Sequence, residues 1–331
     1  MFSRTYFIRS YTSQPRRASL VVDRFVKPGP TRALFYSPAL AMLSSLLLLA
    51  AARFAADDPL EWIYACLLPR AASLSLFAVA LLLARALAKT AERSTCLRQV
   101  RHLQRFGRKS LLVTGGSFLF AASCVYRAFN IADEGAFLCR GPETLFNMPA
   151  AGRAVATIGE LALVVQLASY VEDAAHRLRM RPPLSSSCTL LPALVAESCS
   201  WLGVLSGASK FFCAEYLCWV FIASVWAWDS AELLHRSTRR GDTIMHAALV
   251  AVSLALAGFN LAHELPHFFV AAPLNAVARP TPFSCTQDAA SPIWHERLPF
   301  FVTYFIGASA CSTILAARHQ FHEVASRLRS S

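Results

Sequence analysis

KTAERSTCLRQVRHLQRFGRKSLLVTGGSFLFAASCVYR, residues Lys89 to Arg127, joins two opposite kinds of sequence. Its first half, through Lys109, holds seven basic residues (Lys89, Arg93, Arg98, Arg101, Arg105, Arg108 and Lys109) against the single acid Glu92. The run that follows, 110 to 128, is apolar until Arg127. A bilayer's hydrocarbon core is about 30 Å thick and takes roughly 20 apolar residues per helix. A basic connection feeding an apolar run of that length reads as one crossing of a membrane.

Working outward, the same alternation recurs along all 331 residues. Further apolar runs lie near 34–56, 62–88, 151–172, 190–207, 211–230, 244–262 and 299–317. The expected fold is all-α, a polytopic membrane bundle of about eight transmembrane helices. Composition agrees: 55% of residues are hydrophobic, 16% are charged and the mean hydropathy is +0.43. A soluble domain carries about a quarter charged residues. The net charge of +12 sits beside apolar spans and not on a polar domain, so it points to anionic lipid and away from nucleic acid.

Two places strain the span count. Pro69 and Arg70 interrupt the second run, and Glu197, Lys210 and Glu215 interrupt the fifth and sixth, which are separated only by a turn near Gly207 to Lys210. A re-entrant hairpin there would move every later loop to the other side. Charge placement argues against it. With eight spans, the segments through Ala33, 89–109, 173–189, 231–243 and after Ala317 share one side and hold 23 of the 32 Lys and Arg. Arg85 lies at that side of its helix, and eight basic residues remain for the other. By the positive-inside rule the basic side is the matrix or cytoplasm, and both termini lie there.

Three regions follow: a basic N-terminal segment 1–33, a transmembrane domain 34–317 and a basic tail 318–331. Before Asp23 the first region has four Arg, four Ser, two Thr and no acid, the composition of a mitochondrial targeting segment. Caps at 129–150 and 263–298 are the two long polar connections on the far side. Their prolines favour short helices over long ones. Of the ten cysteines, Cys139 and Cys285 alone fall one in each cap, facing the more oxidising compartment, where a disulfide would tie the caps together.

His263-Glu264-Leu265-Pro266-His267 matches the H-E-x-x-H pattern, in which two histidines on one helical face hold zinc and the Glu is a general base. Pro266 removes a backbone donor between them and argues against an unbroken helix, so His263 and His267 are weak metal candidates. Haem needs paired axial histidines, and only His246 and His263, both on the seventh run, are placed for it. No metal or cofactor is expected, and no catalytic residue is assigned.

Ionisable groups inside spans are costly and should face protein or water. Arg153, Glu160 and Gln166 lie on the fourth run, the first two seven residues apart and hence on one face, and Glu197, Lys210 and Glu215 lie on the fifth and sixth. They read either as interhelical pairs, Glu160 or Glu197 with Arg127 or Lys210, or as a proton or substrate path. The pairing is favoured, since no matching broken helices of a transporter accompany them. Gly115, Gly116, Ala121 and Ala122 on the third run, Gly152, Ala156 and Gly159 on the fourth, and the Gly203/Gly207 pair on the fifth allow close helix approach, and Trp62, Trp201, Trp219, Trp226, Trp228 and Trp294 are expected as interface anchors. In the 89–109 loop, Leu97, Val100, Leu103 and Leu111 can line one face of a surface helix with the basic residues on the others. With Arg70, Arg85 and Arg179 these form the expected phospholipid contacts, cardiolipin being the abundant anionic lipid of the mitochondrial inner membrane.

The resulting expectation is a non-catalytic accessory subunit of a mitochondrial inner-membrane energy-converting complex, a respiratory assembly or the ATP synthase, with other subunits and anionic phospholipid as partners. The alternatives are a proton-coupled carrier using the intramembrane carboxylates and a metal-dependent hydrolase built on His263 and His267. Peptide mapping of the purified protein without reductant should recover Cys139 and Cys285 as one linked species. Two free thiols would exclude the link between the caps.

Overall fold

Pro149 opens the helix on which the bundle is organised. The computed structural model describes residues 100–130, 132–133, 138–139, 144–270, 283–287, 304 and 307–330, with the backbone alone at 100–108, 110, 132–133, 270, 287 and 321–330. The chain divides into two units, Met1–Leu40 and Ala41–Ser331, and every described residue belongs to the second. The runs expected at 34–56 and 62–88, and residues 1–33, lie outside the described residues.

The described region is 85% helical. Its elements are α1 (Val100–Phe129), β1 (Ala132–Asp133), β2 (Leu138–Cys139), α2 (Pro149–Arg177), α3 (Ser185–Cys188), α4 (Leu190–Ser206), α5 (Ser209–Arg236), α6 (Arg240–Phe259), a π-turn (Asn260–Glu264), α7 (Leu265–Val270), β3 (Thr286–Gln287) and α8 (Ser309–Ser330). Among the described residues five helical segments are long and apolar enough to cross a membrane: Leu111–Phe129, Pro149–Arg177, Ser185–Ser206, Ser209–Arg236 and Arg240–Phe269. The fifth and sixth expected spans are thus two full helices, α4 and α5, despite the charges within them. Of the eighth expected run, α8 covers the last part and continues beyond it.

Local chemistry sets the helix ends. Pro149 occupies the first turn of α2, where its missing N–H is no loss and its fixed φ suits a helix. At the other end Met180 N donates to Ala175 O and Arg179 N to His176 O, a Schellman closure. It puts Arg179 at φ 55°, a left-handed position normally given to glycine. Gly207, at φ 67°, ends α4 by donating its N–H to Gly203 O at 2.8 Å, and Ser209 starts α5 two residues on. Between α2 and α4 the chain is anchored from a distance. The buried Asp229 of α5 accepts from Leu184 N (3.1 Å) and Ser185 N (2.6 Å), donors at the start of α3 that have no acceptor within that helix.

Three contacts show α1 antiparallel to α2: Ser123 Oγ donates to Val155 O at 2.9 Å, Gly116 meets Ala162 and Gln166, and Lys109 bridges Glu172 at 2.9 Å. α8 lies against both. Gln166 Nε2 donates to Ser312 O (2.7 Å), and Ser312 Oγ donates to Gln166 Oε1 (2.5 Å), a reciprocal lock on a fully buried amide. Near the end of α2, Asp173 pairs with Arg177 and with His319 Nδ1 at 3.4 Å, and Arg318 bridges Asp242 of α6 at 2.7 Å. The core runs through Phe120, Cys124, Val164, Tyr170 and Val171 to Trp219, Ile222, Trp226, Leu233 and Leu315. Trp219 and Trp226 are therefore buried packing residues and not interface anchors, whereas Trp228 is exposed. A tryptophan's place in the sequence marks its depth but not which face of the helix it occupies.

The described parts of the caps hold more than short helices. One short helix is there, α7, but the caps also share a three-stranded sheet in which β2 pairs antiparallel with β1 and parallel with β3. Cys139 on β2 and Cys285, just before β3, are joined by a disulfide across 146 residues of sequence.

Gly159 sits directly against Ser123: an added Cβ would lie 2.5 Å from its Cβ and 2.6 Å from its Oγ, whereas one at Gly115 would meet nothing within 4 Å. Gly159→Leu is expected to lower stability by about 1–3 kcal/mol through overpacking, while Gly115→Leu leaves it unchanged, read by thermal unfolding in detergent. Equal melting temperatures for the two variants would contradict this close approach of α1 and α2.

Candidate functional site

Arg153 emerges one turn into α2, with Thr157 and Glu160 following at four and seven residues on the same face. Glu197 comes from α4, Glu215 from α5 and Arg127 from α1, and Tyr304 enters from the chain ahead of α8. At about 1.5 Å per residue, Glu160 lies about 16 Å along α2 from Pro149, and Glu197 about 14 Å from the Ser206 end of α4. Taken as membrane helices, both carry their carboxyls well inside the hydrocarbon.

A guanidinium has five donors in a rigid fork, and here the fork serves three helices. Arg153 Nη2 donates to Glu160 Oε2 and to Glu197 Oε2, each at 2.7 Å, and Nη1 donates to Glu215 Oε1 at 3.3 Å. The Arg153 side chain is 3% exposed and the three carboxylates 5–8%. Glu160 receives more: Tyr304 OH donates to its Oε1 at 2.9 Å, and Arg127 Nη1 lies 3.4 Å from the same oxygen. The Arg127 guanidinium also stands 4.9 Å from the centre of the Tyr304 ring, a cation–π arrangement, and Phe120 meets that ring edge-on at 5.5 Å. On the opposite flank Trp201 Nε1 donates to Thr157 Oγ1 (3.1 Å), which donates to Glu197 Oε2 (2.6 Å).

Placing these charges away from water costs several kcal/mol per ion, offset only where partners are close and hydrogen-bonded. The arrangement supplies that at Glu160, whose two oxygens both have donors. At Glu197 it does so on one side only, because Oε1 is buried and makes no hydrogen bond.

Of the residues singled out from sequence, Arg153, Glu160, Glu197 and Glu215 converge on this knot. Gln166 lies further along α2, bound to Ser312. Lys210 does not join them: it is exposed, with its ammonium 5.3 Å from the ring centre of Phe211. The expected cation for Glu197 was Arg127 or Lys210, and it is Arg153, because Lys210 sits in the first turn of α5 and faces outward. Thr157, Trp201 and Tyr304 were not anticipated. Thr157 shares the Arg153–Glu160 face and was within reach of helical spacing; Tyr304 comes from the far end of the chain and left no local signal.

The HELPH segment is helical throughout, which corrects the expectation of a break. Leu265 N donates to Asn260 O across five residues, and the helix continues as α7. The wider π-turn relieves the clash of Pro266 with the preceding carbonyls that a tight α-turn imposes. His263 Nδ1 lies 3.2 Å from the fully buried Glu264 and its ring stacks on Phe259, while His267 meets Phe268 edge-on. Among the described residues no group of three His, Cys, Asp or Glu is placed to hold a metal ion. His246 is buried at the other end of the same helix, with Nδ1 2.7 Å from Ser237 Oγ.

Of the expected lipid contacts, Lys109 is engaged with Glu172 and Arg179 is exposed at the α2 terminus. Arg70, Arg85, Lys89, Arg93 and Arg98, and the side chains of Arg101, Arg105 and Arg108, lie outside the described residues. No protein-family model matches this chain, and no curated protein or solved structure is detectably similar to it.

Removing the hub leaves three buried carboxyls without their shared cation. Arg153→Gln should cost about 3–5 kcal/mol, seen as loss of folded protein or a large drop in melting temperature, while Lys210→Gln has no such effect. A stable Arg153→Gln protein would show that the knot does not hold the helices together.

Proposed function

We propose that this chain is a non-catalytic accessory subunit of an energy-converting complex in the mitochondrial inner membrane, a respiratory assembly or the ATP synthase. It contributes helix packing and a surface for anionic phospholipid such as cardiolipin. The observation that carries the reading is that Arg153, Glu160, Glu197, Glu215 and Gln166 all bind other helices of this same chain. Charges that lock helices to one another serve a rigid scaffold, and a substrate path would need them accessible. The outward helix faces carry large apolar side chains, among them Leu194, Leu205, Leu217, Phe221 and Leu254, which suit lipid tails or neighbouring subunits. The mitochondrial assignment rests on the acid-free, Arg- and Ser-rich start of the sequence.

One observation favours a proton-coupled carrier instead, namely the buried Glu197 Oε1 that makes no hydrogen bond. The two readings separate on native gels. Solubilised gently, the 36.2 kDa chain should migrate within a far larger complex and carry cardiolipin and other subunits in mass spectrometry. Migration as a monomer or lone dimer, with ion or solute uptake in proteoliposomes that Glu160→Gln abolishes, would replace the subunit by the carrier.

A further inference from the structure

We propose that the charge knot is a proton-binding site and that the proton resides on the Glu197 carboxyl, held between α2 and α4. Each carboxyl can be weighed by its donors. Glu160 has a guanidinium nitrogen on Oε2, and on Oε1 the Tyr304 hydroxyl with Arg127 beside it. Both of its oxygens are stabilised as an anion. Glu215 accepts from Arg153 Nη1 and has further partners, and neither of its oxygens is buried without a hydrogen bond. Glu197 has Thr157 and Arg153 on Oε2 and no hydrogen bond on Oε1, although that atom is buried and the residue is 4% exposed.

An ionised carboxylate spreads its charge over both oxygens, so a buried one without donors on one side is poorly stabilised. Glu197 and Glu160 also converge on one nitrogen, Arg153 Nη2, at 2.7 Å each. Two carboxyls drawn that close do not both ionise readily, and the one with fewer donors takes the proton. The groups facing Glu197 from the packed elements are Arg153, Thr157 and Glu160 on α2, Glu215 on α5, and behind Glu160 the Arg127 guanidinium and Tyr304. The step is simple binding: a proton from water adds to Glu197, converting carboxylate to carboxylic acid with no other bond changed. Protonation leaves Arg153 shared chiefly between Glu160 and Glu215, which removes the competition at Nη2. The inference goes beyond the subunit reading and does not depend on it, since it concerns only where the proton sits within the knot.

Infrared spectra of the protein in lipid nanodiscs at neutral pH test it. A protonated-carboxyl C=O band that shifts in D2O should vanish in Glu197→Gln and persist in Glu215→Gln. In parallel, Glu197→Gln, which mimics a neutral acid, should keep the wild-type melting temperature, while Glu160→Gln lowers it. A spectrum in which Glu197→Gln removes no such band would overturn the assignment. So would a Glu197→Gln protein that melts as low as Glu160→Gln or fails to fold, because either would mean that the negative charge at Glu197 is required.

Discussion

Desolvation of the Arg153 guanidinium is the constraint on which the rest of the bundle depends. Arginine keeps its charge in any environment a protein offers, so a buried one must be surrounded. Arg153 is surrounded by carboxyls from three helices, and the position of each helix is set by the need to deliver one. Glu160 then sets the approach of α1 and the segment before α8, through Arg127 and Tyr304. Four helices and a distant segment are thereby tied to one side chain.

Such a knot is effective only if the backbones come close enough for short side chains to meet. Gly116 and Gly159 let α1 lie directly on α2, and Gly203 receives the ring of Phe212 where α4 turns into α5. Lipid tails are as apolar as Leu, so burial alone does little to hold membrane helices together, and close packing and polar links take its place. Gln166 with Ser312, Asp173 with His319, and Asp242 with Arg318 repeat that logic at greater distance from the knot, each binding α8 to a helix earlier in the chain. The disulfide between Cys139 and Cys285 joins the two caps covalently at the opposite end.

Much of the site was legible in the sequence, for identifiable reasons. Charged residues in apolar runs are costly enough that each one stands out, and the seven-residue spacing of Arg153 and Glu160 put them on one face by helical geometry alone. Cys139 and Cys285 stood out because they alone fell in the two long caps. What was misjudged concerns direction around the helix axis. Lys210 was expected to pair with a carboxyl and instead points outward, and Trp219 and Trp226 were expected at the interface and instead fill the core. At Pro266 the backbone widened into a π-turn and the helix went on, an adjustment that propensity arguments do not foresee.

The sequence by itself determined that this chain carries several helices long and apolar enough to cross a membrane and that the charges within them would need partners, because hydrophobic run length and charge cost are local properties of residues. Which acid meets which base was decided only by the tertiary structure. Helix rotation and crossing are set by packing among segments far apart in the chain, and a single guanidinium can satisfy several carboxyls at once. Tyr304 reaching Glu160 across 144 residues is a contact of that kind, and nothing in the neighbourhood of either residue announces it.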